Sequence, residues 1–314
     1  MADGPTPPDK IAVPPEPGKG QQGLALLFGL LGMVVFAGTL PALRLALEGF
    51  DPFFITAGRA VLAGVIALVV VAVTRVPRPR GKDAVRLGVL SLFLVLGFPL
   101  LTGIALLTVG ASHGGIVLAI NPIATAIAAT IVGQERPGLM FWLFSALGAA
   151  IVGGFMLSQG GGRFQPGDLV LVAAAFVAGF GYALSGRLSR RMPGWTVIAW
   201  ALIISLPVST LGAVMWAPTH WPTALTPWLG FAYLGAFSMF LGFVFWNRAM
   251  AVGGIARIGQ LQLLQPFVTT GLATTVAGEA FNIEHLPFAA AVVLVVAAAL
   301  RARVRPATSH QANG

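Results

Sequence analysis

Hydrophobic residues run along this chain in long blocks, and ten of them stand out, at 23–46, 53–74, 86–107, 112–132, 138–157, 168–187, 195–216, 226–249, 255–277 and 286–303. Most hold about 20 residues, the length at which a helix rising 1.5 Å per residue crosses a hydrocarbon layer roughly 30 Å thick. Barrel strands would instead alternate over about ten residues. Between the blocks lie polar, turn-forming stretches: VPRPRGKD at 76–83, QERPG at 134–138, SQGGGRFQPGD at 158–168, SRRMPGW at 189–195 and APTHWPTALTP at 217–227. The pattern predicts an all-α membrane protein with ten transmembrane helices.

Two of the blocks share a sequence. Residues 105–135, ALLTVGASHGGIVLAINPIATAIAATIVGQE, align without a gap on residues 249–279, AMAVGGIARIGQLQLLQPFVTTGLATTVAGE. Nine of the 31 positions are identical, including Gly110/Gly254, Gly115/Gly259, Pro122/Pro266, Thr125/Thr269 and Glu135/Glu279. Each proline follows a carboxamide, Asn121 or Gln265. Fainter echoes, Gly38 with Gly181 and Arg44 with Arg187, extend the repeat back to the first and sixth segments. The expected organisation is a tail at 1–21, five-helix repeats at 22–157 and 158–304, and a second tail at 305–314. Five helices is an odd number, so the second copy enters from the opposite side of the membrane. Inverted repeats of apolar helices, broken by proline near mid-segment, are the arrangement in which secondary transporters build a binding site between the halves.

Composition agrees and charge adds orientation. The chain is 57% hydrophobic and 9% charged, where soluble domains carry about 25% charged residues. Its net charge of +9 does not imply nucleic acid, because the basic residues sort by side. With the N-terminus inside, sixteen lysines and arginines fall at the cytoplasmic face, only Arg163 falls outside, and Arg44 and Arg59 lie within helices. This positive-inside pattern predicts cytoplasmic termini, with anionic lipid as the partner of the basic face. Arg44 and Arg59 are expected to snorkel to the outer surface or to pair with Glu48 and Asp51, with a substrate contact as the alternative. The first 21 residues show no signal-peptide pattern, and the chain has no cysteine, so neither disulfides nor thiolate chemistry enter.

Ten helices in two halves, the short TVGAS connection and the ending VGQERP after an Asn-Pro helix together resemble the drug/metabolite transporter superfamily of EamA type, over residues 23 to 303. Within it the chain looks most like the YddG group of aromatic amino-acid exporters. The resemblance implies a basket-like bundle in the cell's inner membrane, with a central cavity lined by helices 1, 3, 4, 6, 8 and 9, and helix pairs 3–4 and 8–9 rocking to alternate access.

Candidate substrate contacts follow from the few polar groups within apolar helices. Pro122 and Pro266 should each kink a helix and free a carbonyl. Asn121 and Thr125 share one helix face, and Gln262, Gln265 and Thr269 share another, so the two faces are expected to meet; hydrogen bonds between helices are the structural alternative. Gln260 points elsewhere on an ideal helix. Phe36, Phe98, Tyr182, Phe245 and Trp246 offer rings for a planar or cationic group. Asn247 and His113 complete the set, His113 as a group able to titrate near neutral pH. Gly110, Gly115, Gly254 and Gly259 join the two prolines as hinge positions, or serve close packing. Asp168 is expected to cap the sixth helix, and Glu135 and Glu279 to cap helices or pair with basic residues.

All ten acidic residues lie in tails, loops or helix ends. Ion-coupled antiporters commonly keep a carboxylate at mid-membrane, so its absence points to facilitated export, or to coupling through His113 or backbone carbonyls, and favours zwitterions, which the resemblance narrows to aromatic and other neutral amino acids. Export of organic cations is the alternative, and a channel is a weaker one. No H-E-x-x-H, Walker motif or paired nucleophile and base appears, and no enzyme activity, metal or cofactor is expected. Two halves in one chain suit a monomer.

Overall fold

The computed structural model describes residues 19–109, 117–158, 165–277 and 285–306. The expected positions Gly110, His113, Gly115 and Glu279 and most of both tails lie outside them. Every apolar block contains helix: α1 (Lys19–Ala37), α2 (Thr39–Leu47), α3 (Pro52–Thr74), α4 (Gly81–Ala105), α5 (Asn121–Ile131), α6 (Leu139–Ser158), α7 (Pro166–Leu188), α8 (Gly194–Met215), α9 (Leu225–Gly253), α10 (Ile255–Gly259), α11 (Gln265–Ala277) and α12 (His285–Arg301). Among the described residues, six stretches are long and apolar enough to cross a membrane: Gly20–Leu47, Pro52–Thr74, Gly81–Ala105, Pro166–Leu188, Gly194–Met215 and Leu225–Gly253. Large apolar side chains such as Leu27, Val69, Val73, Leu211 and Leu294 stand exposed on the outside, as a lipid-facing surface requires.

Predicted helices one and nine prove to be broken. The first divides at Gly38 into α1 and α2. Pro41 lies in the first turn of α2 and has no amide hydrogen to give Ala37, four residues back. The ninth passes from α10 through a 3-10 turn at Gln260–Leu264 into α11. Pro266 stands in the first turn of α11, and the freed Gln262 carbonyl takes the tighter bond from the Gln265 amide. In the fourth block, Pro122 occupies the first turn of α5, and Ala124 donates to Ile120 O at 3.0 Å.

Duplication is visible in the packing. α3 lies against α8, and α6 against α12, each pairing equivalent members of the two halves. The contact of α1 with α9 is mirrored by α7 with α4, and that of α5 with α7 by α11 with α1. Both α4 and α9 carry a π-helical stretch at corresponding places, Ser91–Gly97 and Tyr233–Leu241. Such bulges shift side-chain direction within a helix and concentrate at functional sites.

One end of the bundle is tied by Glu135, which is 5% exposed. It opens β1 (Glu135–Pro137), which pairs antiparallel with β2 (Val304–Pro306), so a short two-stranded ladder accompanies the helices. Its carboxylate accepts from the amides of Ile255 and Ala256, each at 2.8 Å, and pairs with Arg190. A carboxylate across the amides that open α10 suits the positive end of the helix. Arg190 and Arg187 also donate to Gly133 O and Val132 O, both at 3.2 Å, closing the end of α5. Gly254 makes the turn from α9 to α10 at φ 89° and ψ 144°, a conformation that side chains strongly disfavour. Asp168 departs from expectation. Gln165 is the N-cap residue of α7, and Asp168, three residues on, accepts from the Gln165 amide at 2.9 Å, the reciprocal half of a capping box.

Replacing Gly254 with alanine should destabilise the protein by about 1–3 kcal/mol, and Glu135→Ala by about 2–4 kcal/mol through the orphaned amides and guanidinium. Denaturant unfolding in detergent micelles measures both; wild-type stability in either variant contradicts the assignment.

Candidate functional site

The polar residues within the helices are divided unequally between the two halves. At the break between α1 and α2, three successive carbonyls are met by side chains from the second half. Tyr233 donates its hydroxyl to Val35 O at 2.8 Å, Gln265 Nε2 approaches Phe36 O at 3.4 Å, and Thr269 Oγ1 donates to Ala37 O at 2.9 Å. Ala37 O is the carbonyl that Pro41 deprives of its helical partner. Gly38 lets Tyr233 reach past the break, since a methyl there would lie 2.3 Å from its hydroxyl. Two candidate contacts, Gln265 and Thr269, thus hold helix backbone in this structure.

Their repeat counterparts do not. Leu184 stands where the second half would carry the equivalent of Pro41, and α7 runs unbroken from Pro166 to Leu188. With no freed carbonyl to meet, Asn121 Oδ1 and Thr125 Oγ1 are buried without a hydrogen-bond partner. Thr125 faces the start of the ninth segment: a methyl built on Gly259 would sit 3.0 Å from Thr125 Cγ2. The two helices therefore pack together at Thr125 and Gly259, but Gln265 and Thr269, expected on the shared face, turn to the carbonyls of α1 instead.

Gln262 is 6% exposed with Oε1 unpartnered. Gln260, which the sequence placed on another face, is fully buried with both amide atoms unpartnered. The 3-10 turn explains the difference, because residues advance about 120° each rather than 100° and side chains after Gly259 fall on new faces. Asn247 is fully buried and engaged: its Nδ2 donates to Gly194 O at 3.0 Å, and its Oδ1 accepts from Ser185 at 2.8 Å, tying α9 to α7 and the start of α8.

Beside Gln262 sits an aromatic cluster. Phe36 lies 6.5 Å from Tyr182, 5.8 Å from Trp246 and 5.0 Å from Phe243 between ring centroids, the last two edge-on. Tyr182 is 5.9 Å from Trp246 and sits beside Gln262. Trp246 is fully buried, with its indole N–H unpartnered. Phe243 escaped sequence reasoning, since nothing distinguishes it from its apolar neighbours. Phe245 turns away to stack on Phe28 at 6.0 Å. Phe98 lies at the end of the π-helical stretch in α4, half-buried against the core, its carbonyl accepting from Thr102 at 2.8 Å.

Arg59 corrects the expectation most sharply. It is 7% exposed, its Nε has no partner, and it makes no salt bridge to any described residue. Asp51 instead caps α3, accepting from the Phe53 amide at 2.8 Å. Arg44 is exposed, as a snorkelling residue would be.

A bundle of duplicated apolar helices, with unpartnered carboxamides and aromatic rings between its halves, has the form of a membrane carrier of small molecules, and comparison with known proteins agrees. The chain belongs to the EamA-like transporter family, whose profile matches twice, at residues 23–158 and 165–301. The uncharacterized transporter YdeK of Bacillus subtilis is 43% identical over 274 residues, covering 87% of this chain and 96% of that protein. A probable terminal-alkyne amino-acid exporter of Streptantibioticus cattleyicolor is 27% identical over 80% of this chain and 84% of its own length. An S-adenosylmethionine/S-adenosylhomocysteine transporter of Chlamydia trachomatis is 24% identical over 71% and 72% respectively. One crystal structure shares the fold at a TM-score of 0.74 and 23% identity, across 88% of this chain and 97% of that one.

If Thr269 serves the carbonyl that Pro41 frees, Thr269→Val should cost about 1 kcal/mol in the wild type and close to nothing beside Pro41→Ala, which restores the helical donor. Equal costs in the two backgrounds, from unfolding of the four proteins of the cycle, contradict the pairing.

Proposed function

We propose that this protein is a secondary transporter that exports neutral amino acids, aromatic ones foremost, in the manner of the YddG group. It works by alternating access between two inverted five-helix repeats, ten transmembrane helices in all, with both termini cytoplasmic in the inner membrane. One observation carries the reading. Asn121 Oδ1, Gln262 Oε1 and both amide atoms of Gln260 are buried without partners on segments of the two repeats that pack together, and Gln262 lies beside Tyr182, whose ring belongs to the cluster of Phe36, Phe243 and Trp246. Buried polar groups without partners carry a cost of about 1–3 kcal/mol each, which a polar ligand removes by pairing with them.

Relatives support the chemistry. The alkyne-bearing amino acid of one and the S-adenosylhomocysteine named for another both present an α-amino carboxylate on an uncharged side chain. Orientation draws support from the arginines gathered at the Glu135 end, where Arg187, Arg190 and Arg257 bond backbone or carboxylate. Glu135 closes that end in this conformation and would release α10 as the gate opens. No acidic side chain of the described residues lies at mid-helix in the spans, which favours a facilitator over a proton antiporter and a zwitterion over an organic cation. Thr125, Gln265, Thr269 and Asn247 complete the site or hold the helices that form it, and Pro122, Gly254, Gly259 and Pro266 lie where the helices would bend. A monomer with no cofactor suffices for this mechanism.

The test is counterflow in proteoliposomes loaded with unlabelled L-phenylalanine. Wild-type protein should concentrate labelled phenylalanine transiently, and Asn121→Leu should reduce the rate at least about tenfold by removing a polar contact while still inserting. Exchange restricted to organic cations, or unchanged rates in Asn121→Leu, overturns the reading.

A further inference from the structure

The mechanism above makes no use of Arg59. This guanidinium sits seven residues into α3, about 10 Å along the helix from Pro52. It is 7% exposed in a chain whose flanks are apolar, with no acidic partner among the described residues. An intramembrane arginine without a counter-ion is costly on any scale, and such residues ordinarily face a protein interior where an anion can approach.

Its surroundings favour that use. α3 packs against the π-helical stretches of α4 and α9, the latter helix carrying Phe243 and Trp246, and Tyr182, which sits beside Gln262, lies within electrostatic range of Arg59. Unpartnered buried atoms of the candidate residues fall into two kinds, with Gln260 offering one of each. Arg59 Nε and Trp246 Nε1 are donors without acceptors; Asn121 Oδ1 and Gln262 Oε1 are acceptors without donors. A zwitterion supplies both complements in one molecule, a carboxylate for the first pair and an ammonium group for the second.

We infer that Arg59 is a substrate-binding residue, holding the carboxylate of an α-amino acid while the carboxamide oxygens receive its ammonium group and the aromatic rings its side chain. This rests on the proposed function and deepens it, since it makes a carboxylate obligatory. A guanidinium forms strong charge-assisted bonds to carboxylates with directional geometry that an ammonium does not reproduce. An amine or an amide of the same size leaves Arg59 unpaired and is rejected.

Purified full-length protein in detergent would be titrated with L-phenylalanine, phenylalaninamide, phenethylamine and 3-phenylpropionate, following the fluorescence of Trp246 and its neighbours. Arg59→Gln, Arg59→Lys and Tyr182→Phe would be compared after circular dichroism confirms wild-type helix content. The expected result is binding of phenylalanine and, more weakly, 3-phenylpropionate, with the two carboxylate-free compounds weaker by about 10- to 100-fold. Arg59→Gln should erase that preference, and Arg59→Lys should recover part of it. Equal affinity for phenylalanine and phenethylamine in the wild type overturns the inference, as does a carboxylate preference that survives Arg59→Gln or the absence of carboxylate-dependent binding across the panel. Arg59-dependent binding of 3-phenylpropionate alone, without phenylalanine counterflow, upholds the arginine as an anion site and refutes amino-acid export, so the two failures are told apart.

Discussion

Three carbonyls at the break between α1 and α2 govern the centre of this bundle. In hydrocarbon, backbone that leaves the helical ladder must be satisfied by protein or by water. Val35, Phe36 and Ala37 meet that demand through Tyr233, Gln265 and Thr269, all from the second half of the chain. A break made by Pro41 in the first repeat thus draws α1 against α9 and α11 and brings Phe36 to Tyr182, Phe243 and Trp246. The same geometry determines which side chains remain free. Because α7 carries leucine where α1–α2 carries Pro41, Asn121 and Thr125 have no carbonyl to serve, and the polar capacity that the first repeat absorbs is left open in the second.

The bundle end closed by Glu135 depends on a different interaction. One carboxylate caps α10, pairs with Arg190 and belongs to a strand held by the residues after α12. The elements it joins, the connection after α5, the start of the ninth segment and the end of α7, must separate if that face is to open. An ion pair with a partly exposed partner suits a contact that the proposed alternating access would break, since entering water would compensate both charges, whereas buried apolar packing would have no such substitute.

Much of this was readable beforehand, for physical reasons. Lipid demands long apolar helices, so the ten blocks announce themselves, and duplication left Pro122/Pro266, Asn121/Gln265 and Glu135/Glu279 at matching places. The capping and pairing expected of Glu135 are present, as is the meeting of the Asn121 and Gln262 helices. What escaped depends on partners distant in sequence. Gln265 and Thr269 look like ligand-binding residues until α1 is known to break beside them. Gln260 seems misdirected only on an ideal helix. Arg59 reads as a snorkelling or acid-paired residue, with a substrate contact as the alternative, and the sequence does not reveal that no acid among the described residues pairs with it. Asp168 reads as the N-cap but is the partner three residues into the capping box, because Gln165 is an uncommon N-cap residue.

The central claim is that Asn121 and Thr125 face a substrate-accessible seam between the repeats and not lipid or sealed protein. The chain has no cysteine, so single Asn121→Cys and Thr125→Cys variants in membranes report directly on that environment. A membrane-impermeant thiosulfonate should label both, and L-phenylalanine should slow the labelling. Reaction only with a lipid-soluble maleimide, or labelling indifferent to phenylalanine, would contradict the account.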